Sequence, residues 1–403
     1  MFKKIPGILA FLVLVLSSSA QAADTPGTRH TVSPASLPKP YATPGVANRS
    51  DHVQRPERVL PHVPSGFTIS LFAEGLGNPR WMALAPNGDV FLAEPSAGKI
   101  TLLRREDEKV KAYAFAAGLS RPHGLAFRDG ALYVGADEAI WKLAYTEGAT
   151  SAGPRTKVTR QGFGGTGYHW TRNLAFSPSG DLFVAIGSGC NVCEEDARRA
   201  TVQRVKPDGT LEPFATGLRN PVGIAFYPGS KRLFVTVNER DGLGDGLPPD
   251  YLTEIAKGDF LGWPYAYIGA HPDPDFGTKK PEMVAKTKTP DVLFAAHSAP
   301  LGLVFYEGTQ FPKDYRGDAF IALHGSWNSG KPTGYKVVRV KFANGKPENV
   351  YTDFVTGFWS GTLTSDGAAR VWGRPAGLLV DADGSLLIAD DAAKVIWRVR
   401  YGP

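Results

Sequence analysis

The chain carries eight histidines in 403 residues, and several stand where chemistry could use them. His169 lies in Gly167-Tyr168-His169-Trp170-Thr171-Arg172, immediately ahead of an apolar strand. An imidazole near neutrality can take a proton from an alcohol or hemiacetal hydroxyl. A lone histidine equally serves as a packed structural group, but His123, His297 and His324 fall at or near corresponding loops, and four on one face are less easily assigned to packing. Cations follow the same placing: Arg219, beside Asn220, and Lys331 and Arg374 all flank apolar strands. Each alone reads as a solvated charge; three at one mouth would make a strong anion site, suited to a polycarboxylate. Glu239, Asp241, Asp245 and Asp250 spread oxygen ligands over a glycine-rich loop. A hard cation such as calcium suits them, although the spacing is not that of an EF-hand and a plain acidic loop fits the same residues. There is no phosphate-binding glycine loop, dinucleotide fingerprint or Gly-x-Ser-x-Gly elbow, which removes the usual nicotinamide and serine-hydrolase readings.

The elements that must position these groups repeat along the chain. Arg219-Asn220-Pro221-Val222-Gly223-Ile224-Ala225-Phe226 runs through a glycine turn into Leu233-Phe234-Val235. The same design, two apolar strands about a tight turn, starts near Pro79, Pro122, Arg172, Pro300 and Pro375. That makes six hairpin-like copies, mostly roughly 43 to 50 residues apart, with more polar strands between them. Periods of this length indicate a propeller. The expected fold is all-β: a six-bladed β-propeller with four-stranded antiparallel blades around a central channel, occupying residues 61–403. A strand over residues 67–72 is expected to join the last sheet and shut the ring. A solenoid and a two-sheet sandwich are the other architectures weighed. Residues 238–298 form the largest insertion, of the kind that builds a pocket rim.

The first 22 residues read as a secretory signal: Lys3 and Lys4, an apolar run over Ile8–Leu16 too short to span a bilayer, and Ala20-Gln21-Ala22 as the cleavage site. Residues 23–60 are rich in Pro, Ala, Ser and Thr and read as a leader, extended on the surface or disordered. The expected location is periplasmic or secreted, with no membrane span in the mature chain. Losing the two lysines takes the formal charge from +6 to +4, and with no Lys/Arg block there is no case for nucleic acid. Cys190 and Cys193 are the only cysteines. Export favours a local disulfide, a redox-active pair being second; zinc wants more ligands, and c-type haem wants histidine where Glu194 stands.

Taken together, Tyr168-His169 with Arg172, Gly217-Leu218-Arg219-Asn220-Pro221-Val222-Gly223, Asp259-Phe260-Leu261-Gly262-Trp263-Pro264-Tyr265, His324-Gly325-Ser326-Trp327-Asn328 and Gly373-Arg374-Pro375-Ala376-Gly377 resemble the soluble secreted sugar dehydrogenases that use pyrroloquinoline quinone, the glucose/sorbosone dehydrogenase family. The resemblance covers roughly residues 60–400. It implies a six-bladed propeller with the quinone over the channel mouth, and His169 as the base that takes the proton from the sugar C1 hydroxyl while hydride passes to the quinone, with Arg172, close by in the same motif, as the second catalytic residue. Arg219, Asn220, Lys331 and Arg374 would hold the quinone, and His297, His324 and Trp327 would supply further contacts. The backbone carbonyls of Arg240 and Asp241 stand where the family holds calcium. Ala376 replaces a basic residue of the best-known glucose enzymes, and the insertions with the Cys-x-x-Cys pair resemble the sorbosone-type branch. The substrate would be an aldose or related sugar aldehyde, with electrons leaving to an external cytochrome or quinone. A calcium-dependent lactonase and a non-catalytic ligand-binding propeller are the competing readings.

Overall fold

The computed structural model describes residues 24–107, 109–165 and 167–402; the signal-sequence reading over residues 1–22 lies outside them. The described chain is almost wholly β, with one five-residue α-helix, Pro281–Ala285. Six sheets have four or five strands. The first five begin with Trp81–Leu84, Gly124–Arg128, Leu174–Phe176, Asn220–Phe226 and Pro300–Phe305, and the sixth with Pro375–Val380. Each copy of the repeat supplies the first two strands of one sheet, paired antiparallel across the predicted turn, as in Trp81↔Ala93 and Leu84↔Val90. These strands are apolar because they are covered on both faces: Val90, Phe91, Leu92 and Ala93 are all fully buried, as are Phe234 and Val235 in the fourth sheet.

The six opening strands touch one another in sequence, and the sixth returns to the first. The repeat's glycine explains how closely they approach. A Cβ on Gly124 would lie 2.2 Å from the Arg172 carbonyl oxygen, one on Gly223 2.4 Å from that of Leu301, one on Gly302 2.5 Å from that of Ala376, and one on Gly377 2.2 Å from that of Arg80. None of these approaches tolerates a side chain. The glycine is therefore a sheet-to-sheet contact rather than a turn residue, and its last instance links the sixth sheet to the first.

The strand Phe67–Ala73 pairs with Val395–Tyr401, with Ile69 opposite Val399, and completes the sixth sheet from the other end of the chain. The segment read as a leader is held in place rather than disordered. Arg29–His30 adds a fifth strand to Lys346–Val355, and Asp51–His52 pairs in parallel with Ala369–Val371. Within the 238–298 insertion, Asp259–Phe260 joins the third sheet and Val292–Leu293 the fourth.

Candidate active site

The loops that enter the opening strands surround a cavity of about 770 Å3. His169, Arg219, Asn220, Asp241, His297, His324, Trp327 and Arg374 all line it, so most of the residues singled out in the sequence share one space. Lys331, Arg172 and the Arg240 side chain do not.

His169 is held in a defined state. Its Nδ1 lies 2.9 Å from Ser188 Oγ, and the Ser188 hydroxyl donates to the Cys190 carbonyl at 2.6 Å. With its proton committed there, Ser188 Oγ accepts the imidazole Nδ1–H, which leaves Nε2 as the ring's basic nitrogen. Burial, and then the Arg219 charge, push the His169 pKa well below its usual value, so the ring is neutral at pH 7. Behind it, Arg172 is fully buried and donates to the His169 and Thr171 carbonyls at 2.8 and 2.7 Å. The sequence placed Arg172 among catalytic residues. Here its guanidinium holds the loop's backbone and lies over the Phe163 ring, and it is not part of the cavity lining.

Arg219 is 3% exposed and satisfied on every side. It donates to the Asn191 carbonyl (3.1 Å), the Asn191 side-chain oxygen (2.8 Å) and the Glu239 carbonyl (2.6 Å), and pairs with Asp241 at 3.0 Å. Asn191 sits between Cys190 and Cys193, which form the expected disulfide. Its side chain also grips both the N–H and the carbonyl of Asp241, at 2.8 and 3.0 Å. The short bridged loop thus fixes one charged wall of the cavity. Beside it, Asn220 Oδ1 is buried with no hydrogen-bond partner among the described residues.

The opposite wall is built from the fifth and sixth sheets. His324 Nε2 lies 3.0 Å from both Asp391 carboxylate oxygens, and the same carboxylate is paired with Arg80. Burial, Arg374 and Arg80 hold the His324 pKa down to about 3. The Arg374 guanidinium donates to the His324 and Gly325 carbonyls, at 3.0 and 2.9 Å, and no carboxylate among the described residues is bonded to it. His297 bonds the Gly244 carbonyl at 2.9 Å. His123 is 1% exposed and bonds Asn173 at 2.8 Å beneath the cavity; it is a packed structural group, its pKa pushed down to about 3 by burial and Arg80.

The calcium pair read from sequence has a different setting. The Asp241 carbonyl accepts from Asn191 and, at 3.3 Å, from Arg240 Nε, while the Arg240 guanidinium turns into the insertion to pair with Asp273 at 2.5 Å. Among the described residues, no three His, Cys, Asp or Glu side chains gather to hold a metal. Glu239 and Asp250 do line the cavity, both buried; burial raises them to about 8 and about 6, and Glu239 Oε1 has no partner among the described residues. Asp245 instead bonds the Gly330 N–H at 2.8 Å, away from the cavity. Lys331 is exposed on the neighbouring loop.

Sequence reasoning missed Arg80, Trp170 and the stretch Arg49–His52, all on the cavity wall. Arg80 was within reach: it follows Pro79 at the place where the second copy has His123.

A ring of small antiparallel sheets carrying a histidine and several guanidinium groups at its mouth has the architecture of the quinone-dependent sugar dehydrogenases, as the sequence motifs implied, and comparison with known proteins bears this out. The chain belongs to the TrAA12-like family, whose profile matches residues 61–246 and 274–402. It is 24% identical over 413 residues to the pyrroloquinoline quinone-dependent pyranose dehydrogenase of Coprinopsis cinerea, covering 84% of this chain and 54% of that protein. The holo structure of that enzyme's quinone domain superposes with a TM-score of 0.72 at 21% identity, over 87% of this chain and 98% of that one. Aldose sugar dehydrogenase YliI of Escherichia coli is 30% identical over 169 residues, 37% of this chain and 43% of that protein. A calcium structure of the family AA12 enzyme of Trichoderma reesei gives a TM-score of 0.69 at 21% identity, over 89% of this chain and 98% of that one. The sugar dehydrogenases among its relatives and structural neighbours mark this chain as an oxidoreductase.

Proposed function

We propose that the protein is an exported quinoprotein, a six-bladed propeller that oxidises pyranose or other aldose sugars at C1 and passes the electrons to an external cytochrome or quinone. The observation that carries this reading is that a neutral His169, the Asp241-paired Arg219 and the carboxylate-free Arg374 line one cavity. Pyrroloquinoline quinone fits the donor set. Its carboxylates suit Arg374 and the neighbouring guanidinium of Arg80, and the buried Asn220 amide offers polar contact with an oxygen that lacks a protein partner. When bound, the quinone supplies the two-electron acceptor for hydride from C1. His169 Nε2 takes the C1 hydroxyl proton in the same oxidation, with Ser188 fixing the ring's tautomer and Arg172 fixing its loop. Buried Arg219 and Asp241 keep the wall charged but internally neutralised, so the cavity presents rigid dipoles to the sugar.

Calcium enters the proposal on oxygen donors rather than through a formed site. A hard cation would draw on Glu239 Oε1, the other carboxyl oxygen accepting from the Arg240 N–H at 3.3 Å, and on backbone carbonyls. The Asp241 carbonyl is already committed to two N–H donors, and no step of the oxidation is assigned to the ion.

The test is reconstitution. Protein mixed with pyrroloquinoline quinone and calcium, then with aldoses and a redox dye, should reduce the dye, and His169→Gln should bind the quinone but lose turnover. Full turnover by that variant would remove His169 from the mechanism.

A further inference from the structure

The segment 24–60 does more than lie on the surface. It is fastened at successive points. The Gly27 N–H donates to the Asp353 carbonyl at 2.8 Å, the Tyr41 N–H to Leu243 at 2.8 Å, and Thr43 Oγ1 accepts from the Asp245 N–H at 2.7 Å. Asn48 is the tightest fastening. Its backbone N–H donates to the Trp327 carbonyl at 2.7 Å, and its side chain to the Ser329 and Gly367 carbonyls at 2.9 and 3.1 Å. Immediately after it, Asp51 and His52 are registered on Arg370 and Val371, and the Val53 N–H bonds the Val371 carbonyl at 2.9 Å. The strand they pair with belongs to a hairpin, Trp359–Leu363 and Ala369–Val371, that stands outside the six large sheets.

Between these fastenings, Arg49, Ser50, Asp51 and His52 form part of the cavity wall beside Trp327 and Arg374. Their chemistry differs from that of the rest of the mouth. There Arg80 and Arg219 are already paired with Asp391 and Asp241, and Arg374 is the cation left to suit a carboxylate. The four strap residues instead offer donors only (Arg49), acceptors only (Asp51) and both at once (Ser50, His52). Neighbouring sugar hydroxyls each donate and accept, so a mixed set of this kind matches a polyol better than an anion. Trp327, 39% exposed on the same rim, adds an apolar surface of the sort that small-molecule sites use with a few polar groups.

We propose that Asn48 anchors a strap whose Arg49–His52 stretch binds the hydroxyls of a pyranose substrate and sets sugar specificity. This rests on the sugar dehydrogenase reading. The experiment compares wild type, the triple variant Arg49→Ala/Asp51→Ala/His52→Ala, and Asn48→Ala, all loaded with quinone. Quinone affinity is followed by absorbance titration and folding by thermal melting. Losing several sugar hydrogen bonds should raise KM for a monosaccharide by about tenfold or more while kcat and quinone affinity stay within about threefold. Asn48→Ala keeps every wall side chain and should raise KM in the same direction by freeing the strap. An unchanged KM in both overturns the proposal, as does a loss of quinone affinity that parallels the rise in KM. A wild-type protein that binds quinone but oxidises no aldose sinks the sugar dehydrogenase reading itself, and this inference with it.

Discussion

Two imidazoles face one cavity from different walls, and their neighbours make them different tools. His169 bonds a hydroxyl whose own proton is committed elsewhere, which leaves one ring nitrogen basic. His324 meets a carboxylate, and the same carboxylate is shared with Arg80. Both rings are held neutral by burial and nearby guanidinium groups. What separates them is that His324 is a member of an ion network, and His169 is not. Standing at a sheet mouth does not identify a base; the partner on the far nitrogen does.

The contrast can be broken most directly by exchanging each ring for an amide. His169→Gln should cost about 10²- to 10⁴-fold in turnover, the range of general-base catalysis, while His324→Gln should cost far less; equal losses would erase the distinction. The ion network should show itself in stability instead. Asp391→Asn leaves Arg80 without its buried partner and should cost about 3–5 kcal/mol, read by urea unfolding of the quinone-free protein. A third measurement addresses Glu239, whose pKa is raised from 4.5 to about 8. A raised carboxyl pKa favours the folded state at low pH, and that benefit is lost as pH climbs from 4.5 through about 8. Glu239→Gln should flatten this part of the stability profile. If calcium binds there, titrating it in at pH 7 should release close to one proton from the wild type and none from the variant. A subtler change comes from Arg219→Gln. Removing a charge that depresses the His169 pKa should move the acid limb of the activity profile to higher pH; no movement would mean that another group sets that limb. The smallest effect belongs to Lys331→Ala, expected within about 0.5 kcal/mol of wild type in stability and unaltered in quinone affinity, since the residue is exposed and off the cavity.

The repeat made the sheets legible, because two apolar strands about a turn recur with little variation. The reason for its glycine was not legible: periodicity reports which faces are buried, not which backbone lies against them. The cavity lining was readable wherever an ionisable residue abutted a repeat, as at His169, Arg219 and Arg374. It failed where a side chain of the right type turns away. Arg172 lies behind the loop it seemed to equip. Lys331 follows the His-Gly-Ser-Trp-Asn motif so closely that only coordinates show it outside the cavity. The strap was missed for a different reason. Its composition is that of a linker, and its order comes from hydrogen bonds to loops far away in the chain, which no local pattern announces.

One consequence follows from the pairing of Phe67–Ala73 with Val395–Tyr401. The sixth sheet is stitched from strands far apart in the chain, so the circle stays open until Val395–Tyr401 has met Phe67–Ala73. Such remote pairing slows folding and makes assembly cooperative from end to end. Clipping that terminal strand should therefore splay apart walls whose own residues were never touched, disabling the enzyme from its rim rather than its centre.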